Sequence, residues 1–287
     1  MIIVTGGAGF VGSHLVDKLI EDGKEVLVID DFSTGKRKNL NNQAKLWRGN
    51  QVTGLQDYFR HPADMAKEVE VIFHIAAKAR IQPSFGSPWE TYESNSSNTI
   101  VALEMARHYK ARLIYAGSST ADGDVFLNPY AYTKWLGEQH CKLYHKHYEV
   151  EGAIGRFYNV YGPRQIEKGP FSTIMGIFER QWREGKPLTV TGDGKQRRDF
   201  THVEDIVNGL IAMAKENWNF LVFPLGSGKN YTINEVAGMF KLPIEYIPSR
   251  PGEVRHTHAT IKSTTRTIGW KPMHKLEEYV AGVIGGQ

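Results

Sequence analysis

The stretch Met1-Ile-Ile-Val-Thr-Gly-Gly-Ala-Gly-Phe-Val-Gly12 constrains this chain more than any other. Ile2, Ile3 and Val4 are a short apolar run, a glycine-rich turn follows, and Phe10 to Glu21 is amphipathic. The order is strand, turn, helix. Gly6, Gly9 and Gly12 are evenly spaced, and Gly7, Gly9 and Gly12 also satisfy G-x-G-x-x-G. Such a turn brings backbone close to a pyrophosphate at a helix N-terminus, where unpaired N–H groups and the dipole favour an anion. Gly6, Gly9, Phe10, Val11 and Gly12 are therefore candidate dinucleotide contacts. The glycines alone would make no more than a tight turn, but the context adds to them. Glu25-Val-Leu-Val-Ile29 reads as a second buried strand ending at Asp30, 18 residues past Gly12. A carboxylate there accepts hydrogen bonds from both ribose hydroxyls and repels a 2′-phosphate, which favours NAD over NADP. Asp31, Lys36 and Arg37 follow closely, so NADP is disfavoured rather than barred.

Strands and helices alternate through the first half, the pattern of a parallel doubly wound sheet. Ala44–Arg48 and Val69–His74 read as strands, and the small residues Ile75, Ala76 and Ala77 after the latter let a flat cofactor approach the backbone. One long helix is expected from Pro88 to Tyr109. A strand from Arg112 to Ala116 then ends in the hydroxyl cluster Gly117-Ser-Ser-Thr120. A helix from Asn128 to Tyr148 and a strand from Glu151 to Tyr158 follow. Beyond this, Gly-Pro and Gly-Asp-Gly turns punctuate short elements. The expected fold is α/β: a Rossmann-type doubly wound parallel sheet over residues 1–160, with 189–215 returning to it in part, and a smaller mixed α/β C-terminal substrate lobe over 161–287. Val203–Lys215 reads as the returning helix.

Composition excludes several classes. A net charge of +4 with no block of Lys/Arg longer than Lys36-Arg-Lys38 gives no footprint for nucleic acid or membrane. No apolar run approaches the ~20 residues of a membrane span. A first strand starting at Met1 leaves no room for a signal peptide, and the single cysteine, Cys141, suits a reducing compartment. A soluble cytoplasmic protein is expected.

Tyr130-x-x-x-Lys134 places a phenol and an ammonium a turn apart on one helix face. An ammonium ~4 Å away at an effective dielectric of ~20 is worth about 4 kcal/mol, enough to bring a phenol of pKa ~10 near neutrality as a general base. Ser118 supplies a hydroxyl that can share a proton with a substrate oxygen, with Ser119 and Thr120 competing for the role. Other candidates are weaker. His145 and His147 diverge on a helix, His256-x-His258 lacks a third ligand, and Cys141 reads as packed, so no metal site is expected.

The chain resembles the extended short-chain dehydrogenase/reductases, within them the NAD-dependent nucleotide-sugar epimerase/dehydratase family. The resemblance covers nearly the whole chain. It rests on Thr5–Gly12, Asp30–Gly35, His74–Ala77, Tyr130–Lys134, Arg156–Arg164, Gly192–Val203 and Ile268–Pro272, in the family's order. It implies that Gly6, Gly9 and Gly12 carry the pyrophosphate and that Asp30, with Asp31, Ser33, Thr34 and Gly35, surrounds the ribose. Asn50, Ala76, Ala77 and Asn95 would lie against the cofactor, and Lys134 would also hold the nicotinamide ribose. It implies that Asn159, Arg198 and Arg250 meet the diphosphate of a sugar nucleotide, and that Ser84 and Ser119 line the sugar pocket. The usual Val-Tyr-Gly after the serine cluster is Ala121-Asp-Gly123 here, the loop to Tyr130 is short, and Asn50 replaces an acid. Family dehydratases carry an Asp-Glu pair where this chain has Ser119 and Thr120, and decarboxylases keep a glutamate in the segment. The resemblance therefore implies the simplest chemistry, 4-epimerisation of a UDP-linked sugar by transient oxidation, and a homodimer joined through helices near 88–109 and 130–148. The rivals are a decarboxylase, dehydratase or keto-sugar reductase, and a dinucleotide-sensing protein without catalysis.

Overall fold

The computed structural model describes residues 1–49 and 68–286, so Asn50 lies outside the described residues. The first half runs β1 (Ile2–Thr5), α1 (Phe10–Glu21), β2 (Val26–Asp30), β3 (Lys45–Arg48), β4 (Val71–His74), α2 (Ile81–Gly86), α3 (Pro88–Tyr92), α4 (Asn98–Tyr109), β5 (Arg112–Ser118), α5 (Pro129–Tyr148) and β6 (Gly152–Phe157). The second runs β7 (Val160–Tyr161), α6 (Ile174–Arg183), β8 (Leu188–Thr191), β9 (Arg197–Asp199), β10 (Thr201–His202), α7 (Val203–Met213), β11 (Leu221–Leu225), β12 (Asn230–Thr232), α8 (Ile233–Met239), β13 (Ile244–Ile247), α9 (Lys262–Ile268) and α10 (Leu276–Gly285).

Seven parallel strands form the central sheet in the order β11-β6-β5-β4-β1-β2-β3. Every residue of β1, β2 and β4 is buried, because helices cover both faces of the sheet. Leu103 and Met105 of α4 and Cys141 and Tyr144 of α5 pack on one face. Leu15, Val16 and Leu19 of α1 and Ile206, Leu210 and Met213 of α7 pack on the other. The strand order reverses between β1 and β4, and the crevice outside their carboxyl ends is where such sheets take ligands.

The C-terminal lobe has its own core, with Phe178, Val190, Val236, Phe240 and Val280 at its centre. Three short strand pairs frame it: β8 with β13, β9 with β12, and β7 with β10. Residues 188–191 therefore pair within this lobe, and the segment that rejoins the sheet is α7 followed by β11. Pro224 sits inside β11, which argues against a strand from sequence; at a sheet edge the missing N–H costs no ladder bond. The single helix expected from Pro88 to Tyr109 is interrupted by a π turn at Glu93–Ser97. Asn95 sits in that turn and is buried, its side chain bonded to the backbone of Lys78.

Candidate active site

At the β1 carboxyl end the chain turns at Gly6, whose φ of +73° suits glycine. A Cβ there would lie 2.8 Å from the Ala76 Cα, so the turns after β1 and β4 touch. A Cβ on Gly12 would lie 2.1 Å from the Gly6 carbonyl oxygen. Helix α1 starts at Gly9 with no side-chain cap and no acid in its first turn. The turn thus leaves N–H groups of Phe10 and Val11 for an outside acceptor and room for it to approach, which fits a pyrophosphate.

Asp30 ends β2 and is 3% exposed. Its carboxylate accepts from the backbone N–H of Ala8 (2.8 Å) and of Phe32 (2.8 Å). Burial raises its pKa, opposed by those two bonds. Asp31 accepts from the Ser33 N–H and hydroxyl, and the Lys36 N–H bonds Ala8 O, folding 31–36 back over the glycine turn. Gly35 permits this fold, since a Cβ there would sit 2.9 Å from Asp30 Oδ1. Asp30 thus builds the turn as well as offering remaining lone pairs to a ribose.

Two strands over, β5 runs two residues further than expected and carries Ser118 at its end. The Ser118 hydroxyl accepts from the Thr120 hydroxyl at 2.9 Å and acts on the nearby Tyr130 phenol, favouring its ionised form. Tyr130 lies in the first turn of α5, capped by Asn128, whose Oδ1 accepts from the Ala131 N–H. Lys134 is buried, with its ammonium 4.4 Å from the Tyr115 ring centre. Burial lowers that ammonium to about 8, and the Glu138 carboxylate opposes the change.

The electrostatics of Tyr130 differ from the sequence expectation. Burial pushes the phenol up; the Ser118 hydrogen bond and then the Arg80 guanidinium pull it down, without full compensation. Lys134 is engaged instead with Tyr115 and Glu138, so the lowering calculated for an ammonium ~4 Å from the phenol does not hold in this arrangement. The sequence reading missed Arg80. It precedes α2 at φ +119°, a strained conformation for a side-chain-bearing residue that costs about 1–3 kcal/mol.

Several residues expected to meet the sugar nucleotide have protein partners in this structure. The Ser84 hydroxyl donates to Ile81 O (2.6 Å) and accepts from the Tyr130 N–H (3.2 Å), so it helps seat Tyr130. The Asn159 amide donates to Asp199 O. Arg198 is largely buried, 4.0 Å from the Glu253 carboxylate, whereas Arg250 is exposed and has no bonded partner among the described residues. Ser119 opens a short 3₁₀ turn beside Ser118. Asp122, in place of the family tyrosine, ion-pairs with Arg156 at 2.5 Å and accepts from the Tyr158 hydroxyl. Asp124 accepts from the Phe126 N–H.

Among the described residues, His202, Glu204 and His274 bring potential metal-ligand atoms within 4.8 Å of one another. The two imidazoles stack at 4.3 Å and 26°, which aims their nitrogen lone pairs side by side rather than at one ion. His256 Nε2 lies 2.8 Å from the Asn230 amide.

The profile of the NAD dependent epimerase/dehydratase family matches residues 2–223. A putative UDP-glucose 4-epimerase of Methanocaldococcus jannaschii is 34% identical over 308 residues, covering 99% of this chain and 97% of that protein. UDP-glucuronic acid decarboxylase 1 of Arabidopsis thaliana is 34% identical over 301 residues, covering 96% of this chain and 67% of that protein. The crystal structure of UDP-glucose 4-epimerase from Thermotoga maritima with UDP-glucose has a TM-score of 0.89 at 30% identity, covering 99% of this chain and 97% of that one.

Proposed function

The chain belongs to the NAD-dependent epimerase/dehydratase family, and on that premise we propose that it is a UDP-sugar 4-epimerase. Gly6, Gly9, Phe10, Val11 and Gly12 would hold the pyrophosphate of NAD, with Asp30 at the ribose and Lys134 at the nicotinamide end. Bound NAD supplies a hydride acceptor and, once reduced, a hydride donor. Tyr130 takes the proton of the sugar 4-hydroxyl, with Ser118 sharing a hydrogen bond to the same oxygen. The 4-keto sugar turns over, and Tyr130 returns a proton to the C4 oxygen on the other stereochemical course. Arg198, part of the second lobe, is the cation for the diphosphate.

The observation that carries the epimerase reading is the Ser118–Tyr130 pair, with no acid free beside it. Ser119 and Thr120 follow Ser118, Thr120 is bonded back to it, and Asp122 and Asp124 are both engaged. Elimination of water needs an acid and a base besides Tyr130, and among the described residues the carboxylates of this turn, Asp122 and Asp124, already have partners.

The finer assignments belong to the same proposal. Residues 1–160, joined by α7 and β11, hold the cofactor, and the rest of 161–287 holds the nucleotide sugar. The chain works in the cytoplasm as a homodimer. Leu143 and Tyr148 of α5 are 49% and 45% exposed, and Trp89 of α3 is 70% exposed, an apolar display that a partner helix pair would cover. Among the described residues no helix is long and apolar enough to cross a membrane.

Incubation with NAD and, in turn, UDP-glucose, UDP-N-acetylglucosamine and UDP-glucuronate, read by proton NMR, tests the reading. The C4 epimer of one of them is expected, and Tyr130→Phe should abolish it. A decarboxylated or stable keto product would overturn epimerisation. NAD binding without turnover of any would point to a sensing protein.

A further inference from the structure

His74 ends β4 directly beside Thr5, the last residue of β1, so the pair stands at the crevice where the strand order reverses. The imidazole is buried, and both ring nitrogens have partners. Nδ1 lies 2.8 Å from the Thr5 hydroxyl oxygen and Nε2 lies 3.2 Å from that of Thr99. Burial, then the nearby Lys134, keeps the ring neutral. A neutral imidazole donates through one nitrogen and accepts through the other. The two hydroxyls decide which is which. Thr99 donates to Asn95 O at 2.7 Å, so its one proton is spent and its oxygen accepts from His74. Nε2 therefore carries the proton, and Nδ1 accepts from the Thr5 hydroxyl. Thr5 Oγ1 in turn accepts the Ala76 N–H at 3.3 Å. The opposite tautomer would cost a bond on each side. Thr99 could not serve both Nε2 and Asn95 O with one proton, and the Thr5 proton would lose Nδ1 as its acceptor.

Both ends of this line reach the site. Ala76 packs on the glycine turn, where a Cβ on Gly6 would lie 2.8 Å from the Ala76 Cα. Asn95, in the π turn, donates to Thr133 Oγ1 at 3.2 Å, and Thr133 donates to Tyr130 O at 3.1 Å. The His74 ring stacks on that of Tyr115, its neighbour on β5, with centroids 6.0 Å apart at 29°. We propose that His74 is a positioning residue for the cofactor: its bare Nδ1 orients the Thr5 hydroxyl, and Thr5 holds the Ala76 N–H that sets the floor beside the glycine turn. The role rests on the dinucleotide lying on that turn.

The first test needs no ligand. Nitrogen NMR of the full-length protein, labelled at histidine and read at about pH 6, where an ordinary histidine is largely charged, shows which ring nitrogen carries a proton. His74→Gln assigns the signal. A protonated Nε2 with a bare Nδ1 is expected. A protonated Nδ1, alone or in a charged ring, would overturn the proposal. The second test separates positioning from general support. In His74→Asn the amide oxygen takes the place of Nδ1 and keeps an acceptor for Thr5. In His74→Gln the amide nitrogen takes the place of Nε2 and keeps a donor for Thr99, without that acceptor. Calorimetry should find NAD weakened about 10-fold in His74→Gln and less than about 3-fold in His74→Asn. Equal losses in the two, or none in His74→Gln, would overturn the proposal. If either does not fold, Thr5→Val removes the same hydroxyl at nearly constant shape and should weaken NAD as His74→Gln would, and unchanged affinity there would overturn it equally. Wild-type protein that bound no NAD would overturn the cofactor reading, and this role with it, whatever tautomer the spectrum shows.

Discussion

The two ends of the cleft are built by opposite means. At the dinucleotide end the working groups are backbone N–H groups, laid bare because side chains are missing. A Cβ on Gly6 or Gly12 would strike backbone 2.8 Å or 2.1 Å away. At the sugar end the proposed working groups are side chains: Ser118 from β5, Tyr130 and Lys134 from α5, and Arg198 from β9. Contacts distant in sequence help place them, as Ser84 accepts the Tyr130 N–H from 46 residues away. One end is fixed by spacing within a single segment, the other by the docking of several.

The contrast makes the two ends separable by mutation. Tyr130→Phe removes the proposed acceptor of the substrate proton and should cut kcat by about 10³-fold, with NAD affinity unchanged by calorimetry. Gly12→Ala should do the reverse, weakening NAD by about 100-fold through the clash with Gly6 O while the isolated sugar contacts persist. A Gly12→Ala protein that bound NAD normally would break the comparison.

His74 lies between the two ends, with Nδ1 2.8 Å from the Thr5 hydroxyl and Nε2 3.2 Å from that of Thr99. Burial, then the nearby Lys134, lowers its pKa to about 3, so the fold keeps it neutral. Unfolding frees it to protonate below its ordinary value of 6.5, so the unfolded state binds more protons between those two values. Stability should therefore fall on acidification through that window, by up to about 1.4 kcal/mol per pH unit from this group. Urea melts across pH should show the slope, and His74→Gln should flatten it. The smallest effects divide the two arginines expected to clamp the diphosphate. Arg198→Ala should weaken sugar-nucleotide binding by about 10-fold. Exposed Arg250→Ala should change it by less than about 3-fold.

The comparison also explains what could be read before the fold was known. The glycine turn, Asp30, the hydroxyl-bearing end of β5 and the Tyr130/Lys134 spacing are local patterns tied to a strand end or a helix turn. The parallel sheet follows from the alternation of buried strands and helices. Asp199 shows the opposite case. Its buried carboxylate accepts from the Ser227 N–H and hydroxyl, the Gly228 N–H and the Ala259 N–H, none of them local. Ser84 could be picked out as a position, but not its bonds to Ile81 O and the Tyr130 N–H, because a hydroxyl near a site looks the same in sequence whether it meets substrate or backbone.

The most direct test of hydride return follows the label. A UDP-sugar that the enzyme accepts, deuterated at C4, is incubated with protein and NAD in ordinary water, and the product is read by NMR and mass spectrometry. Complete retention of deuterium at C4 in the epimer, with no net NADH, is the predicted result. Loss of the label from C4, or its appearance in a released keto or decarboxylated product's cofactor, would contradict epimerisation by a hydride returned within one site.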